Sequence, residues 1–344
     1  MEADESKRDR TPTLADVARQ AKVSTATVSR CLNSPDQVVE KTRTKVLEAV
    51  RKLGYAPNFN ARALAAKRTN TIGAIIPTME NAIFARGLQA FQEELGRNGT
   101  TLLVASSSYQ SGLEEEQIRT LVSRGADALL LIGYHRDPEI YEFLRRQGVP
   151  VVIAWVFDPK AKFPTVGFDN FSAMKALANK VIRLGHRRIG VITGATQDND
   201  RSTERLRGIR SAMTDAGIPE ETLSIAETTY GIAEGGIALE HLMSQPSRPS
   251  VVMCGNDVLA VGAIAKAKEL GIDIPRDLSV TGFDDLEISK ISSPSLTTVH
   301  VPHRRMGKEA ARMLINMVSK KEGQDKILIE TSLEMRESLA EYSE

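Results

Sequence analysis

Cysteine is scarce. Cys31 and Cys254 are the only two in 344 residues, and neither belongs to a CxxC pair. That usage argues against a secreted disulfide scaffold and fits a reducing compartment, so the cytoplasm is the expected location. There is no run of about eighteen apolar residues, so no membrane span or membrane partner is expected. The first ten residues, MEADESKRDR, lack the apolar core of a signal peptide. GxGxxG, GxxxxGK[ST], GxSxG and HExxH are all absent, and no catalytic residue, cofactor or metal is expected. His300-x-x-His303 has no third ligand in pattern, so a structural role is expected for it.

What is present is ordinary globular composition, 41% hydrophobic and 26% charged, over a length that calls for two or three domains. The net charge of +1 conceals a division. Residues 11–70 hold eleven Lys/Arg against four Asp/Glu, a net +7, while residues 71–344 hold 31 basic and 36 acidic side chains, a net −5. A small basic head on a mildly acidic body points to a polyanionic partner.

The head reads as three short helices. Thr13-Leu14-Ala15-Asp16 sets a hydroxyl three residues before an acid, so a helix is predicted to begin near Leu14. Ser24 is placed to cap a second helix through Asn33, and a third runs from about Lys41 to Leu53, ended by Gly54. This is a helix-turn-helix. The second helix, within VSTATVSRCLN (23–33), has a narrow apolar stripe of Val28 and Leu32 and an outer face of oddly short side chains. A recognition helix in a DNA major groove explains them, because short side chains let the backbone come close. Ser24, Ser29 and Asn33 can donate to phosphate oxygens, Thr25 and Ala26 can meet thymine methyls, and Arg30 can reach guanine.

In GYAPNFNARALAAKRTN (54–70), residues 58–66 are rich in Ala and Leu yet span only about two turns, too short for a stable isolated helix. A hinge helix that forms on DNA is expected, with Leu64 as an apolar wedge between base steps and Arg62, Lys67 and Arg68 near phosphates. From Thr71 the pattern changes to apolar strands (TIGAIIP, TTLLVAS, ADALLLIG, VPVVIAW) alternating with amphipathic helices. A second series follows (RRIGVIT, SVVMCGN, LSVTGFDD). Two such series predict an α/β body of two doubly wound parallel-sheet lobes, with a ligand in the cleft beyond the strand C-termini.

TLADVARQAKVSTATVSRCLN, VEKTRTKVLEAVRKLGYAPN and ARALA, in this order, closely resemble the head and hinge of the lactose-repressor (LacI/GalR) family. GFDN, RLGHRRIGVITG, ERLRGI, GNDVLAVGA and SVTGFDD resemble the periplasmic-binding-protein-like body of the same family. The resemblance implies a ligand-controlled transcriptional repressor, homodimeric, on a pseudo-palindromic double-stranded operator. It implies a head over 11–57, a hinge over 58–70 and a body over 71–344. Lobe 1 would comprise about 71–168 and 299–328, and lobe 2 about 169–298 and 329–344, with three crossings between them. Thr25, Ala26 and Arg30 match base readers, and Tyr55, Asn58, Ala61 and Leu64 match further DNA contacts; Leu14 completes the DNA-binding candidates. Val39 stands where the family usually has a capping Ser.

By position, Ile83, Phe84, Phe168, Arg205, Tyr230, Asn256 and Asp284 should line the cleft. Arg205 offers a planar fork for carboxylates or hydroxyl pairs, Asp284 accepts from hydroxyls, and the aromatics can stack on a sugar face. Trp155 stands where some sugar-binding members have an acid. VGFDNF, with Arg205 and Arg201 or His303, is most similar to members that sense sugar acids such as gluconate. An enzyme on the same body would leave the basic head unexplained, and a transport solute-binding protein would need a signal peptide.

Overall fold

The computed structural model describes residues 11–56, 68–80 and 82–343. The chain divides into two compact units, Met1–Thr69 and Asn70–Glu344.

In the first unit, α1 (Leu14–Ala21) starts on a capping box in which Thr13 and Asp16 bond reciprocally. Lys22 turns the chain in the left-handed region, and Ser24 caps α2 (Thr25–Asn33) by accepting from the Thr27 N–H. α3 (Glu40–Leu53) begins at Val39 with no side-chain cap, as a valine dictates, and ends at Gly54 with φ +63°. Val17, Ala18, Ala21, Val28, Cys31, Val46 and Ala49 form the buried core of this unit.

The second unit holds two parallel sheets. The first is ordered β11-β5-β4-β3-β1-β2, from β1 (Thr71–Ile76), β2 (Thr101–Ser106), β3 (Ala128–Ile132), β4 (Val151–Ala154), β5 (Thr165–Gly167) and β11 (Lys326–Leu328). Strand alternation feeds two cores. Ala74, Leu130 and Val152 join one with Phe91 and Leu95 of α4 (Ala82–Arg97) and Met306 of α12 (His303–Val318). Ile75, Leu129, Leu131 and Ile153 join the other with α5 (Ser111–Ser123) and α6 (Pro138–Gln147). Successive side chains thus pack helices on opposite faces of one sheet.

The second sheet, β7-β6-β8-β9, comprises β6 (Ile189–Gly194), β7 (Leu223–Thr228), β8 (Val251–Cys254) and β9 (Ser279–Thr281). Val191 and Met253 face α7 (Asn170–Arg183) and α8 (Asp200–Asp215). Ile192, Val252 and Cys254 face α9 (Ile232–Met243) and α10 (Asp257–Glu269). The chain leaves the first sheet after β5, returns past the short α11 (Glu287–Ile291) through β10 (Thr298–His300) into α12, and leaves again after β11 through β12 (Ser332–Glu334), which pairs antiparallel with β10. The last crossing ends on the second sheet, where the Val280 N–H donates to Ser338 O. No helix among the described residues is long and apolar enough to cross a membrane.

Candidate functional site

On the head, Ser24, Thr25, Ala26, Arg30 and Asn33 are exposed, while Val28 and Cys31 on the opposite face of α2 are buried. Ser29 is half-buried, and its hydroxyl accepts from Asn33 Nδ2 at 3.2 Å. Leu14 and Tyr55 are half-buried against the head core, so only their outer edges reach solvent. Asn58, Ala61, Arg62 and Leu64, and the hinge expected over 58–66, lie outside the described residues.

In the body, one cavity gathers Ile83, Phe84, Phe168, Arg205, Tyr230, Asn256 and Asp284, all seven residues expected there, together with Tyr109, Trp155, Asn170 and Arg201. Five of them sit at strand exits: Trp155 after β4, Phe168 after β5, Tyr230 after β7, Asn256 after β8 and Asp284 after β9. The two sheets therefore aim their C-terminal ends at one space. That space is about 20 Å³, close to one water molecule, so a ligand of sugar size needs the lobes or the lining to move. A groove of about 620 Å³ adjoins it and shares Tyr109 and Tyr230, whose rings lie 5.6 Å apart.

The lining concentrates buried polar atoms without hydrogen-bond partners: Trp155 Nε1, Asn170 Oδ1, Arg205 Nε, Asn256 Nδ2 and Asp284 Oδ2. Two of the amides have their orientation set by other bonds. Asn170 Nδ2 donates to Trp155 O at 3.0 Å, and Asn256 Oδ1 accepts from the Leu259 N–H at 2.9 Å, capping α10. The cavity therefore offers donors from Trp155, Arg205 and Asn256, and acceptors from Asn170 and Asp284. Unmade hydrogen bonds of this kind are costly in a protein interior. A ligand rich in hydroxyls and bearing acceptor oxygens satisfies both sets.

Its charges are uneven. Arg201 lies 3.0 Å from Asp200 and is largely compensated. Arg205 is 8% exposed, lies 4.6 Å over the Phe283 ring and forms no ion pair with any carboxylate among the described residues. A buried guanidinium without a counter-ion favours an anion beside it. Asp284 is 2% exposed, and its Oδ1 lies 3.5 Å from His303 Nε2. It has φ +106°, a strained conformation for a non-glycine residue. Asp285 holds the next position at φ +52° by accepting from Arg336 Nη2 (2.6 Å) and His300 Nδ1 (2.8 Å). The two histidines thus face the two aspartates. Below them, burial and then the Asp284 charge push the Asp257 carboxyl well above the usual range, against hydrogen bonds from Thr298 and the Leu286 N–H. Burial also raises the Tyr109 phenol, aided by Tyr230.

Tyr109 and Asn170 are the lining residues that sequence reasoning missed. Asn170 had a signal, standing in the GFDN stretch where β5 hands over to α7; Tyr109, in the loop leaving β2, had none.

Residues 13–58 match the model of bacterial regulatory proteins, lacI family, and residues 178–339 match the periplasmic binding protein-like domain. The HTH-type transcriptional repressor CytR of Escherichia coli (strain K12) is 33% identical over 314 residues, 91% of each protein. A solved Lacl family transcriptional regulator from Silicibacter pomeroyi is 26% identical, with a TM-score of 0.87 over 96% of this chain and 99% of that one. A solved complex of the transcriptional regulator CelR with cellobiose is 30% identical, with a TM-score of 0.69 over 95% of this chain and 99% of the other. With a head and body that both match, and a relative aligned over nearly the full length, the chain belongs to the lacI family of bacterial regulatory proteins.

Proposed function

We propose that this protein is a homodimeric repressor of transcription in the cytoplasm, which binds a pseudo-palindromic operator through its head and a sugar acid in its body. The basic charge of residues 11–70 and the short, exposed face of α2 support the DNA role. The existence of a related regulator in complex with cellobiose supports a carbohydrate-like ligand. The observation that carries the acid is Arg205, buried and without a carboxylate partner, in a cavity whose orphan atoms otherwise suit hydroxyls. A polyhydroxylated carboxylate of the gluconate class fits this set better than a neutral hexose. Ligand binding and operator binding are then linked, each altering the other by the same factor. No catalytic step is assigned to the cavity.

A thermal-shift screen with aldonates, uronates, sugar phosphates and neutral sugars tests this reading, because a ligand bound to the native state raises the melting temperature. Stabilisation by a sugar acid that also changes operator affinity is expected. A panel in which only neutral sugars stabilise the protein would remove the acid from the proposal.

A further inference from the structure

A further groove, of about 400 Å³, lies beside the cavity and shares only Asn170 with it. Among the described residues, four carboxylates line it against one cation, Arg207. Asp158 comes from the loop after β4, Asp169 caps α7, and Asp200 and Glu204 stand on α8. Arg201 answers Asp200 at 3.0 Å, and Arg207 answers Glu204 at 2.8 Å. Asp158 and Asp169 are bonded to neutral groups instead, the Lys160 backbone N–H at 2.8 Å and the Ser172 N–H and Oγ at 3.0 and 2.6 Å. The excess charge is felt at Glu204, whose carboxyl burial pushes up, with Asp169, Asp200 and Asp158 adding to the rise against Arg207. Asn170 is 4% exposed, and its Oδ1 has no partner. Its Nδ2 is held on Trp155 O at 3.0 Å, which leaves the acceptor edge of the amide for a ligand's donor. Tyr134, Phe157 and Phe171 are half-buried in the same lining. Arg207 lies 4.8 Å over the Phe171 ring, so the groove already seats one cation between a ring and a carboxylate.

We infer that this groove is a second ligand site, which takes a linear organic dication of the diamine class. Its ammonium groups pair with the carboxylates and donate to Asn170 Oδ1, and its methylene chain runs along Phe157 and Tyr134. A single metal ion does not suit the groove, because among the described residues no three His, Cys, Asp or Glu are grouped to hold one. Carboxylates spread along a groove suit a ligand charged at both ends. Asp158 follows β4 of the first sheet, while Glu204 stands on α8, which packs on the second. A ligand on both spans the lobes, so its binding is linked to the arrangement of the cavity and to the operator. Neither Asp158 nor Glu204 lines the cavity, and the inference stands apart from the sugar acid.

The test uses the full chain and 1,4-diaminobutane, with 1-aminobutane, magnesium chloride and sodium chloride at matched ionic strength as comparisons. Melting temperature and calorimetric titration are the readouts. The diamine should raise the melting temperature above every comparison and bind at least about tenfold more tightly than the monoamine. Glu204→Gln and Asp158→Asn each remove one charge and keep the shape of the side chain. Each should weaken diamine binding about tenfold. Asp158 is exposed, and an asparagine there can still accept from the Lys160 N–H, so this variant decides the matter even if Glu204→Gln disturbs the fold. Stabilisation by the diamine no greater than by sodium chloride overturns the inference, and equal stabilisation by magnesium does so too. Diamine affinity within twofold of wild type in Asp158→Asn places the diamine elsewhere and also overturns it. The sugar-acid reading is judged by a different set of ligands, so either result can fail while the other stands.

Discussion

His135 Nε2 lies 2.9 Å from Asp198 Oδ1, joining the loop after β3 in the first lobe to the loop before α8 in the second. Ser111 Oγ, at the start of α5, lies 3.5 Å from the other oxygen of the same carboxylate. Neither His135 nor Asp198 lines the cavity that holds Arg205. The pair belongs to the rim, where the lobes meet, and both side chains are about half exposed, so its net contribution is small, at most about 1 kcal/mol. Asp198→Ala should therefore leave the melting temperature of the free protein almost unchanged. It should strengthen effector binding several-fold, because the pair holds the lobes in an arrangement whose cavity of about 20 Å³ has to widen for a ligand. Calorimetric titration of the stabilising ligand decides this, and equal affinity in both proteins would show that the pair does not bias closure.

Arg205→Ala and Asp284→Asn remove the charge complement of the cavity without touching the head. Operator binding without effector should persist in both variants, and its response to effector should disappear. Coupling of this kind is typically about 1–3 kcal/mol, or roughly 5–150-fold in operator affinity. Fluorescence anisotropy of labelled operator across an effector titration measures it. A full response in both variants would place the ligand elsewhere.

Much of this architecture is legible in the sequence, and the limits have physical causes. The head could be read cap by cap, since Thr13, Ser24 and Gly54 act locally, and even the missing cap at Val39 follows from its side chain. Strands buried on both faces announce themselves as apolar runs, whereas β5, β10, β11 and β12 have three residues each and carry no period. α9 is obscured by Gly235 and Gly236, which read as breakers. Here they serve close packing: a Cβ on Gly235 would stand 2.3 Å from Leu259 O in α10. Phe168, Asn256 and Asp284 are marked by strand exits, but Tyr109 joins the cavity by reaching across to Tyr230, and nothing beside it in the chain signals that contact.

Arg30 is exposed in the second turn of α2, on the face that carries Ala26 and Asn33. A base contact from this position should make Arg30→Ala cost about 1–3 kcal/mol on the operator and relax preference at one base pair. Competition assays against operators varied at each position reveal the difference. Equal weakening on operator and random DNA would reduce Arg30 to a phosphate contact, with a shallower salt dependence as its signature.

Asp285 links effector recognition to stability, and its pH dependence has a definite sign. Burial works to raise its carboxyl, but the hydrogen bonds from Arg336 and His300 outweigh it, and the folded-state pKa is lowered. A lowered value means that the folded protein binds the proton less well than the unfolded chain does. The stabilisation is therefore fully present above the unfolded carboxylate value, near pH 4, and is lost as pH falls through the lower, folded value. Asp285→Asn leaves Arg336, which also donates to Leu296 O and Ser289 Oγ, without its carboxylate in a largely buried place. A loss of about 3–5 kcal/mol is expected at pH 7. Urea denaturation of both proteins at pH 7, 5 and 3.5 should show that difference intact at the first two values and shrinking at the last. Asp285 does not line the cavity, yet it pins the backbone that turns Asp284 inward at φ +106°. Effector affinity should thus fall together with stability at pH 7. A variant as stable as wild type at pH 7 would show that Arg336 and His300 do not depend on this carboxylate.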